Sequence, residues 1–296
     1  MKPPWWHASV LRACARLRLA PGRVTLLREA ENTVVRLADG WVVRIGAFGT
    51  QDSACRQLAV ARWLAEVGVP AVEAHPDPDQ PVVVDGRPVT VWRELPDHRR
   101  GRPREIANAL RSLHDQPIPG GLGLLPLNPV AGLSDRVDAA HTLTESDRGW
   151  LRDRITRLAG DYADLPRGLP HRVLHGDAWP GNIVTTTTGV PTTLLIDLER
   201  VSVGPPEWDL VSTAIKRFSF GTITGDEYAE FTGGYGHDVT NWPGYRLLRD
   251  LRETRMTCWL AARAARDADL HREAGHRIAC LRGLHGPRPW TWASTG

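Results

Sequence analysis

Residues 175–197 read HGDAWPGNIVTTTTGVPTTLLID. Asn182 lies five residues after Asp177, and an apolar run ends at Asp197, twenty residues after Asp177. Phosphoryl transfer needs one carboxylate aimed at the acceptor hydroxyl, and magnesium takes one or two carboxylate or amide oxygens beside the phosphates. Asp177, Asn182 and Asp197 offer these three groups at a spacing that a tight loop and a returning hairpin can supply.

The first ninety-odd residues are predicted to form strands around a single helix. Apolar and β-branched runs predict strands at 24–28, 33–37, 41–45, 81–84 and 89–93. Helical spacing of apolar residues predicts a helix over 52–67. The Asp39-Gly40 and Asp85-Gly86 pairs are hairpin turn signals. The order of elements is therefore β-β-β-α-β-β.

The composition changes after Arg93, where residues 95–104 indicate a hinge. Helices are predicted around 106–113, 145–160 and 245–266, and short strands at 172–174, 183–184 and 193–196. We therefore expect an α+β fold with two lobes, a small antiparallel β-sheet lobe with one helix and a larger, mainly helical lobe. Ligand sites favour the interface between such domains.

His175-Gly-Asp177-x4-Asn182 with a strand ending in Asp197 resembles the aminoglycoside phosphotransferase family, whose fold is similar to that of eukaryotic protein kinases. The segment Gly204-Pro-Pro-Glu-Trp-Asp209-Leu fits the same pattern, as does the N-terminal order of elements. The resemblance implies that Asp177 is the catalytic base and that Asn182 and Asp197 hold Mg²⁺. His175 and Asp209 then support the loop, and an Asp at a helix start is expected to be an N-cap.

Two departures from that pattern concern the nucleotide. The third strand of a kinase small lobe normally carries a Lys, whereas this strand offers Arg44, and the only lysines are Lys2 and Lys216. The acidic partner expected on the following helix falls near the neutral Gln57, with Glu66 as the other candidate. Arg44 keeps the positive charge and can bind phosphate bidentately.

The resemblance implies a nucleotide-binding lobe over residues 1–95 and a catalytic and acceptor-binding lobe over residues 96–296. The turn at 29–33 lacks the glycines that kinases place there, but Asn32 and its backbone can approach phosphates. The predicted contacts of ATP, or of GTP, are with the residues Asn32, Arg44, Glu94 and Leu95.

The resemblance implies transfer of the γ-phosphoryl group of ATP to a hydroxyl of a small molecule, and we expect an antibiotic, in resistance or self-protection. A protein substrate is disfavoured because Trp179 replaces the Lys of protein kinases and only twelve residues lead from Asp197 to Asp209. Residues 211–296 contain twelve basic and nine acidic residues, which favours a less cationic acceptor than an aminoglycoside. The candidate acceptor contacts are Glu199, Glu253, Arg255 and Trp259.

Two alternatives stay open beside the antibiotic kinase. One is a metabolic small-molecule kinase acting on choline, homoserine or a sugar. The other is a catalytically silent, nucleotide-binding regulator. Arg44 and Gln57 favour it, because they replace the Lys and the acidic partner of the family pattern. A nucleic-acid partner is disfavoured because the arginines are spread among the acids and form no basic face.

Composition supports a soluble globular protein. Of the 296 residues, 42% are apolar and 24% charged, with a net charge of +3. No apolar stretch is long enough for a membrane span, and the N-terminus has no apolar signal region. The four cysteines are scattered, as expected of reduced thiols. These features predict a cytoplasmic protein with no membrane partner.

Overall fold

The computed structural model describes residues 4–29 and 32–293. The chain divides into two compact units, one of residues 1–125 and 180–202 and the other of residues 126–179 and 203–296. The hairpin at 180–202 thus groups with the N-terminal residues. The assignment of nucleotide binding to residues 1–95, and of catalysis and acceptor binding to residues 96–296, stays a prediction. Residues 30 and 31, in the turn expected to approach phosphates, lie outside the described residues.

A five-stranded antiparallel sheet forms the centre of the first unit. Its strands are β1 (Thr25–Glu29), β2 (Thr33–Arg36), β3 (Trp41–Ile45), β4 (Val82–Val84) and β5 (Arg87–Arg93). The spatial order is β1-β2-β3-β5-β4. In β3 the side chains of Val43 and Ile45 are buried on one face, and Arg44 between them points to the other face. The five predicted strands are confirmed.

Three helices belong to this unit: α1 (Trp5–Arg16), α2 (Gln51–Glu66) and α3 (Pro103–His114). The expectation of one helix in the N-terminal lobe is corrected by α1, which precedes the sheet. Trp6, Val10 and Ala13 of α1 share a buried cluster with Val43 and Ile45 of β3. These three residues have the i, i+4, i+7 spacing that is typical of one face of a helix.

A second, three-stranded sheet follows in the same unit. It comprises β6 (His98–Arg100), β8 (Ile183–Thr186) and β9 (Thr193–Leu195) in the order β6-β8-β9. A short 3-10 helix spans Leu198–Arg200 directly after β9. The segment predicted as a hinge thus contributes β6, whose edge is paired by β8.

The second unit is mainly helical. Its helices are α4 (Leu133–Ala139), α5 (Glu145–Ala163), α6 (Glu207–Phe218), α7 (Gly225–Tyr235), α8 (Tyr245–Ala264) and α9 (His271–Leu281). β7 (Arg172–Leu174) pairs with β10 (Ser202–Gly204). Helix α8 contacts α4, α5, α6 and α9, and so forms the core of the unit. The predicted α+β class, with a small antiparallel sheet and a larger helical part, is confirmed. Within residues 4–29 and 32–293, no helix has the length and apolarity that a membrane crossing requires.

Candidate active site

Arg44 in the first unit is held on three sides. Its Nη1 donates to Oε1 of Gln57 at 2.6 Å, and its Nη2 donates to Oε2 of Glu199 at 3.0 Å. With the Asn32 amide oxygen turned toward the guanidinium, that oxygen accepts from Nη2 at 2.7 Å and from Nε at 3.3 Å. Contacts from Gln57, Glu199 and Asn32 therefore hold this guanidinium in one position.

A pocket surrounds this guanidinium. Its lining is rich in hydroxyl and amide groups and comprises Asn32, Arg44, Gly46, Thr50, Ser53, Ala54, Gln57, Pro88, Thr90 and Glu199. Gly46 keeps the pocket open, because a Cβ there would come within 2.9 Å of Thr50 Oγ1. A cation among small hydroxyl side chains fits the chemistry of a phosphate group.

Glu94 and Leu95, predicted to contact the nucleotide, follow β5. The Glu94 amide donates to the carbonyl of Gly40 at 2.8 Å, and its carboxylate pairs with Arg36 on β2. The Glu94 side chain is thus engaged with the sheet, and Leu95 beside it is half-buried. A nucleotide contact through either residue stays a prediction.

The β8–β9 hairpin brings Asn182 and Asp197 to one end. Ile183 pairs with Leu195, and the amide of Ile196 donates to the carbonyl of Asn182 at 2.9 Å. Asn182 is buried, and Asp197 is exposed with a left-handed backbone, φ 57°. This conformation is strained for a residue with a Cβ, a feature that clusters at functional sites.

These two side chains offer one amide and one carboxylate oxygen. Magnesium is bound by one or two such groups together with phosphate oxygens and water, so the pair fits that ion. Among the described residues no group of three or more His, Cys, Asp or Glu side chains forms a metal site. The ligand roles of Asn182 and Asp197 stay predictions.

In the second unit the loop after β7 is anchored by Asp209. Its Oδ2 accepts from the amide of His175 at 2.7 Å and its Oδ1 from the amide of Gly176 at 2.9 Å. The Asp209 carboxylate is fully buried, so these bonds are shielded from water. The expectation that Asp209 is an N-cap is wrong, because α6 starts at Glu207 and has Pro206 at its N-cap.

Further contacts fix the same loop around Asp177. The buried His175 accepts the Asp177 amide at Nδ1, at 3.3 Å. Trp208 donates from Nε1 to the carbonyl of Gly176 at 3.0 Å. Gly176 has φ 81°, which favours glycine at this position.

Arg252 of α8 is the residue that the sequence did not single out for this loop. Its Nη1 donates to Oδ1 of Asp177 at 3.3 Å, and its Nη2 donates to the carbonyls of Gly176 and Trp208. The guanidinium lies 4.2 Å from the Trp208 ring centroid, and the residue is 6% exposed. Helical spacing places it among the charged positions of α8, but only the folded chain reveals the contact with Asp177.

Of the predicted acceptor contacts on α8, Glu253 is corrected by its surroundings, whereas contacts of an acceptor with Arg255 or Trp259 stay predictions. Glu253 is fully buried, and Arg288 donates from Nε to its Oε1 at 2.8 Å and from Nη2 to its Oε2 at 2.5 Å. Arg255 donates to the carbonyl of Pro129 at 2.6 Å. Trp259 packs on a cluster of buried alanines. Glu253 therefore has no surface to offer an acceptor, since its carboxylate is already bound.

Glu199, the fourth predicted acceptor contact, pairs with Arg44 in the first unit, and its contact with an acceptor stays a prediction. The structure thus places Asn32 and Glu199 against the guanidinium of Arg44. It gathers His175, Asp177 and Asp209 in the loop after β7.

Solved structures of small-molecule kinases share this fold. The microcompartment-associated aminopropanol kinase matches with a TM-score of 0.70 and 16% identity, over 94% of this chain and 97% of that one. An amicoumacin kinase, in complex with AMP-PNP, Ca²⁺ and Ami, matches with a TM-score of 0.69 and 15% identity, over 96% and 95%. A choline/ethanolamine kinase family protein from Mesorhizobium loti matches with a TM-score of 0.61 and 20% identity, over 93% and 94%.

These structural matches show a shared fold, and the expected kinase-like fold is confirmed. The family itself follows from the sequence. The model of the phosphotransferase enzyme family, APH, matches residues 23–248, which is more than half of the chain. That range includes the loop of Asp177, the hairpin of Asn182 and Asp197, and the strand of Arg44. The chain therefore belongs to the APH phosphotransferase enzyme family.

Proposed function

We propose that this phosphotransferase moves the γ-phosphoryl group of ATP onto a hydroxyl of a small molecule, with an antibiotic as the acceptor. One observation carries the proposal: the carboxylate of Asp177 contacts a buried arginine, on a loop whose amides are bound by the buried Asp209. A general base must lie in a fixed position, within hydrogen-bond reach of the proton it accepts. The fixed loop supports that role for Asp177.

In this proposal Asp177 accepts the proton of the acceptor hydroxyl while the hydroxyl oxygen attacks the γ-phosphorus of ATP. The bond from the γ-phosphorus to the bridging oxygen breaks, and ADP leaves. Arg252 and Asp209 keep the carboxylate and the loop from changing orientation. Positioning and charge neutralisation account for most of the catalysis of phosphoryl transfer, because its transition state is loose and highly charged. A loop that needs no rearrangement in the reaction step suits this chemistry.

Arg44 would bind a phosphate oxygen, and Asn182 and Asp197 would hold Mg²⁺. Bound Mg²⁺ neutralises charge on the phosphates. Calorimetric titration with MgATP and with metal-free ATP tests the assignment. We expect Asp197→Ala to weaken binding of MgATP strongly and Asn182→Ala to weaken it less, with little change for metal-free ATP. Equal MgATP affinities for the wild type and Asp197→Ala would reject Asp197 as a ligand.

For the acceptor, we propose a hydroxylated antibiotic that is not a polycation, such as a nucleoside-type or sugar-containing one. The acidic residues of α8 support this choice, because Asp250 and Glu253 are both paired with Arg288. A site for several ammonium groups needs carboxylates that are not already neutralised. The likeness to an amicoumacin kinase agrees with an antibiotic.

A panel of acceptors tests the proposed function. Purified protein is incubated with ATP and Mg²⁺ and with nucleoside-type antibiotics, sugar-containing antibiotics, aminoglycosides, choline, homoserine or free sugars. We expect ADP release and a product heavier by one phosphoryl group with one of the first two classes, and neither with Asp177→Asn. Turnover of choline, homoserine or a sugar alone would favour the metabolic kinase. ATP binding with no turnover of any acceptor would favour the silent regulator.

A further inference from the structure

We infer that Glu199 is a positioning residue, the anionic partner that holds Arg44 in place of the carboxylate that related kinases put on the helix after the third strand. The inference rests on the proposed function, since it concerns the cation that binds the phosphates. It assigns Glu199 neither to the acceptor nor to the metal. Its basis is the set of contacts around one guanidinium in the first unit.

The helix position that faces Arg44 is occupied by a neutral side chain. Gln57 accepts from Arg44 Nη1 at 2.6 Å, and its own Nε2 donates to Ser53 Oγ at 3.1 Å. Gln57 is 7% exposed, so its amide has a fixed orientation. This amide directs the guanidinium but contributes no charge to hold it.

The charge comes from a different element. Glu199 lies on the 3-10 helix Leu198–Arg200, which α2 contacts, and its Oε2 is 3.0 Å from Arg44 Nη2. Arg44 therefore has one amide partner from α2 and one carboxylate partner from the segment after Asp197. The ion pair has moved from the helix to the 3-10 helix while its cation has stayed on β3.

The geometry also limits how Arg44 meets a phosphate. A guanidinium has five N–H donors. Gln57 takes one from Nη1, and Glu199 and Asn32 take both from Nη2, with Asn32 also accepting from Nε. One Nη1–H is left without an acceptor among the described residues. Arg44 so held offers a phosphate its charge and a single N–H donor.

The effect of this pair should appear in nucleotide binding more than in folding. The Arg44 side chain is 22% exposed and that of Glu199 is 51% exposed. Ion pairs this accessible to water contribute little to the stability of a fold. A cation that must meet a phosphate in one orientation depends on its partners much more.

Exchange of charge between the two partners tests the inference. The variants are Glu199→Gln, Gln57→Glu and the double variant that carries both changes. Gln57→Glu is isosteric, so its carboxylate meets Nη1 where the amide now does. Glu230→Gln, on the exposed surface of α7, removes the same charge as a matched control.

We measure MgATP affinity by calorimetry, KM for ATP and kcat with a saturating acceptor, and the unfolding of each nucleotide-free variant. We expect Glu199→Gln to weaken MgATP binding and to raise KM, each roughly three- to tenfold, the scale of one charged contact, with little change in unfolding. The double variant should return to within about threefold of the wild type, and Glu230→Gln should match the wild type.

Three outcomes would overturn the inference. These are tighter MgATP binding by Glu199→Gln, a double variant as weak as Glu199→Gln, and a loss that excess Mg²⁺ restores but Gln57→Glu does not. The last would make Glu199 a metal ligand. Failure of the proposed function gives a different result, because the wild type itself would then bind no ATP.

Discussion

The loop that carries Asp177 and the strand that carries Arg44 are held in different ways. In the loop, the fully buried carboxylate of Asp209 binds backbone amides. Around Arg44 the contacts are between side chains, and its anionic partner Glu199 is half exposed. The first arrangement depends on backbone geometry and the second on side chains that can be exchanged.

This difference explains where the sequence keeps the family pattern and where it departs from it. Substitution of a carboxylate that binds two amides leaves buried donors without an acceptor, which is costly. A cation and its partner can be exchanged for Arg and Gln if the charge is supplied from another element, as Glu199 supplies it. We therefore expect changes near Asp177 to be more damaging than changes near Arg44.

The largest effect should follow Asp177→Asn. The amide cannot accept the hydroxyl proton, and a general base contributes about 10²–10⁴-fold. We expect kcat to fall by that factor while MgATP affinity and the free energy of unfolding stay close to those of the wild type. Retention of more than about a tenth of the wild-type kcat would contradict the assignment.

In the first unit, Arg44→Met should lower kcat with saturating acceptor by about 10–10³-fold, the scale of one charge-assisted contact in the transition state. Arg44→Lys should lose less, because it keeps the charge and one donor. Arg104→Met, on the exposed surface of α3, controls for the loss of a positive charge. An Arg44→Met protein as active as the wild type would mean that other groups hold the phosphates.

How far the site could be predicted depends on the range of the contacts. The loop of Asp177 and the hairpin of Asn182 and Asp197 follow from residues close together in the chain. The contact between Arg252 and Asp177 joins residues 75 positions apart and could not be predicted from spacing. The burial of Glu253 under Arg288 depends on the same long-range packing.

Asp209→Asn tests whether the buried carboxylate holds the backbone of the Asp177 loop. The amide keeps one acceptor oxygen but turns an NH₂ group toward a backbone N–H in a buried place, which costs about 2–3 kcal/mol. We expect denaturant unfolding to show this loss, together with a drop in kcat. Asp226→Asn, on the exposed first turn of α7, is the matched control. Equal stability of both variants would show that the loop does not depend on the Asp209 carboxylate.

The fold was predictable where apolar periodicity is local. All five strands of the first sheet follow from short alternating runs and Asp-Gly turns. Helix α1 was not predicted, although Trp6, Val10 and Ala13 have helical spacing, because it is stabilised by long-range packing on the sheet, with contacts to β4 and β5. Strand β6 lies in an Arg-rich segment whose strand character comes only from pairing with β8.

The smallest effect concerns Glu105, which joins α3 to the sheet that contains the β8–β9 hairpin. Hydrogen bonds from Arg99, from the Arg102 amide and from Thr185 lower the pKa of Glu105 to about 2. A lowered pKa stabilises the fold at pH values above the ordinary range of a glutamate, and this contribution is lost as the pH falls toward 2. Because Arg99 and Glu105 are partly exposed, Glu105→Gln should cost only about 1 kcal/mol at pH 7.

Denaturant unfolding of the wild type and Glu105→Gln at pH 7 and pH 3 measures this contribution. We expect the difference between the two proteins to shrink at pH 3, since the wild-type carboxylate is then losing its advantage over the unfolded chain. Glu66→Gln, exposed at the end of α2, should show no such pH dependence. A difference that stays constant between the two pH values would mean that the Glu105 charge does not stabilise the fold. A large loss of MgATP affinity in Glu105→Gln would show that nucleotide binding depends on the contacts of Glu105 with the three-stranded sheet. That dependence would then be as strong as the dependence of the Asp177 loop on Asp209.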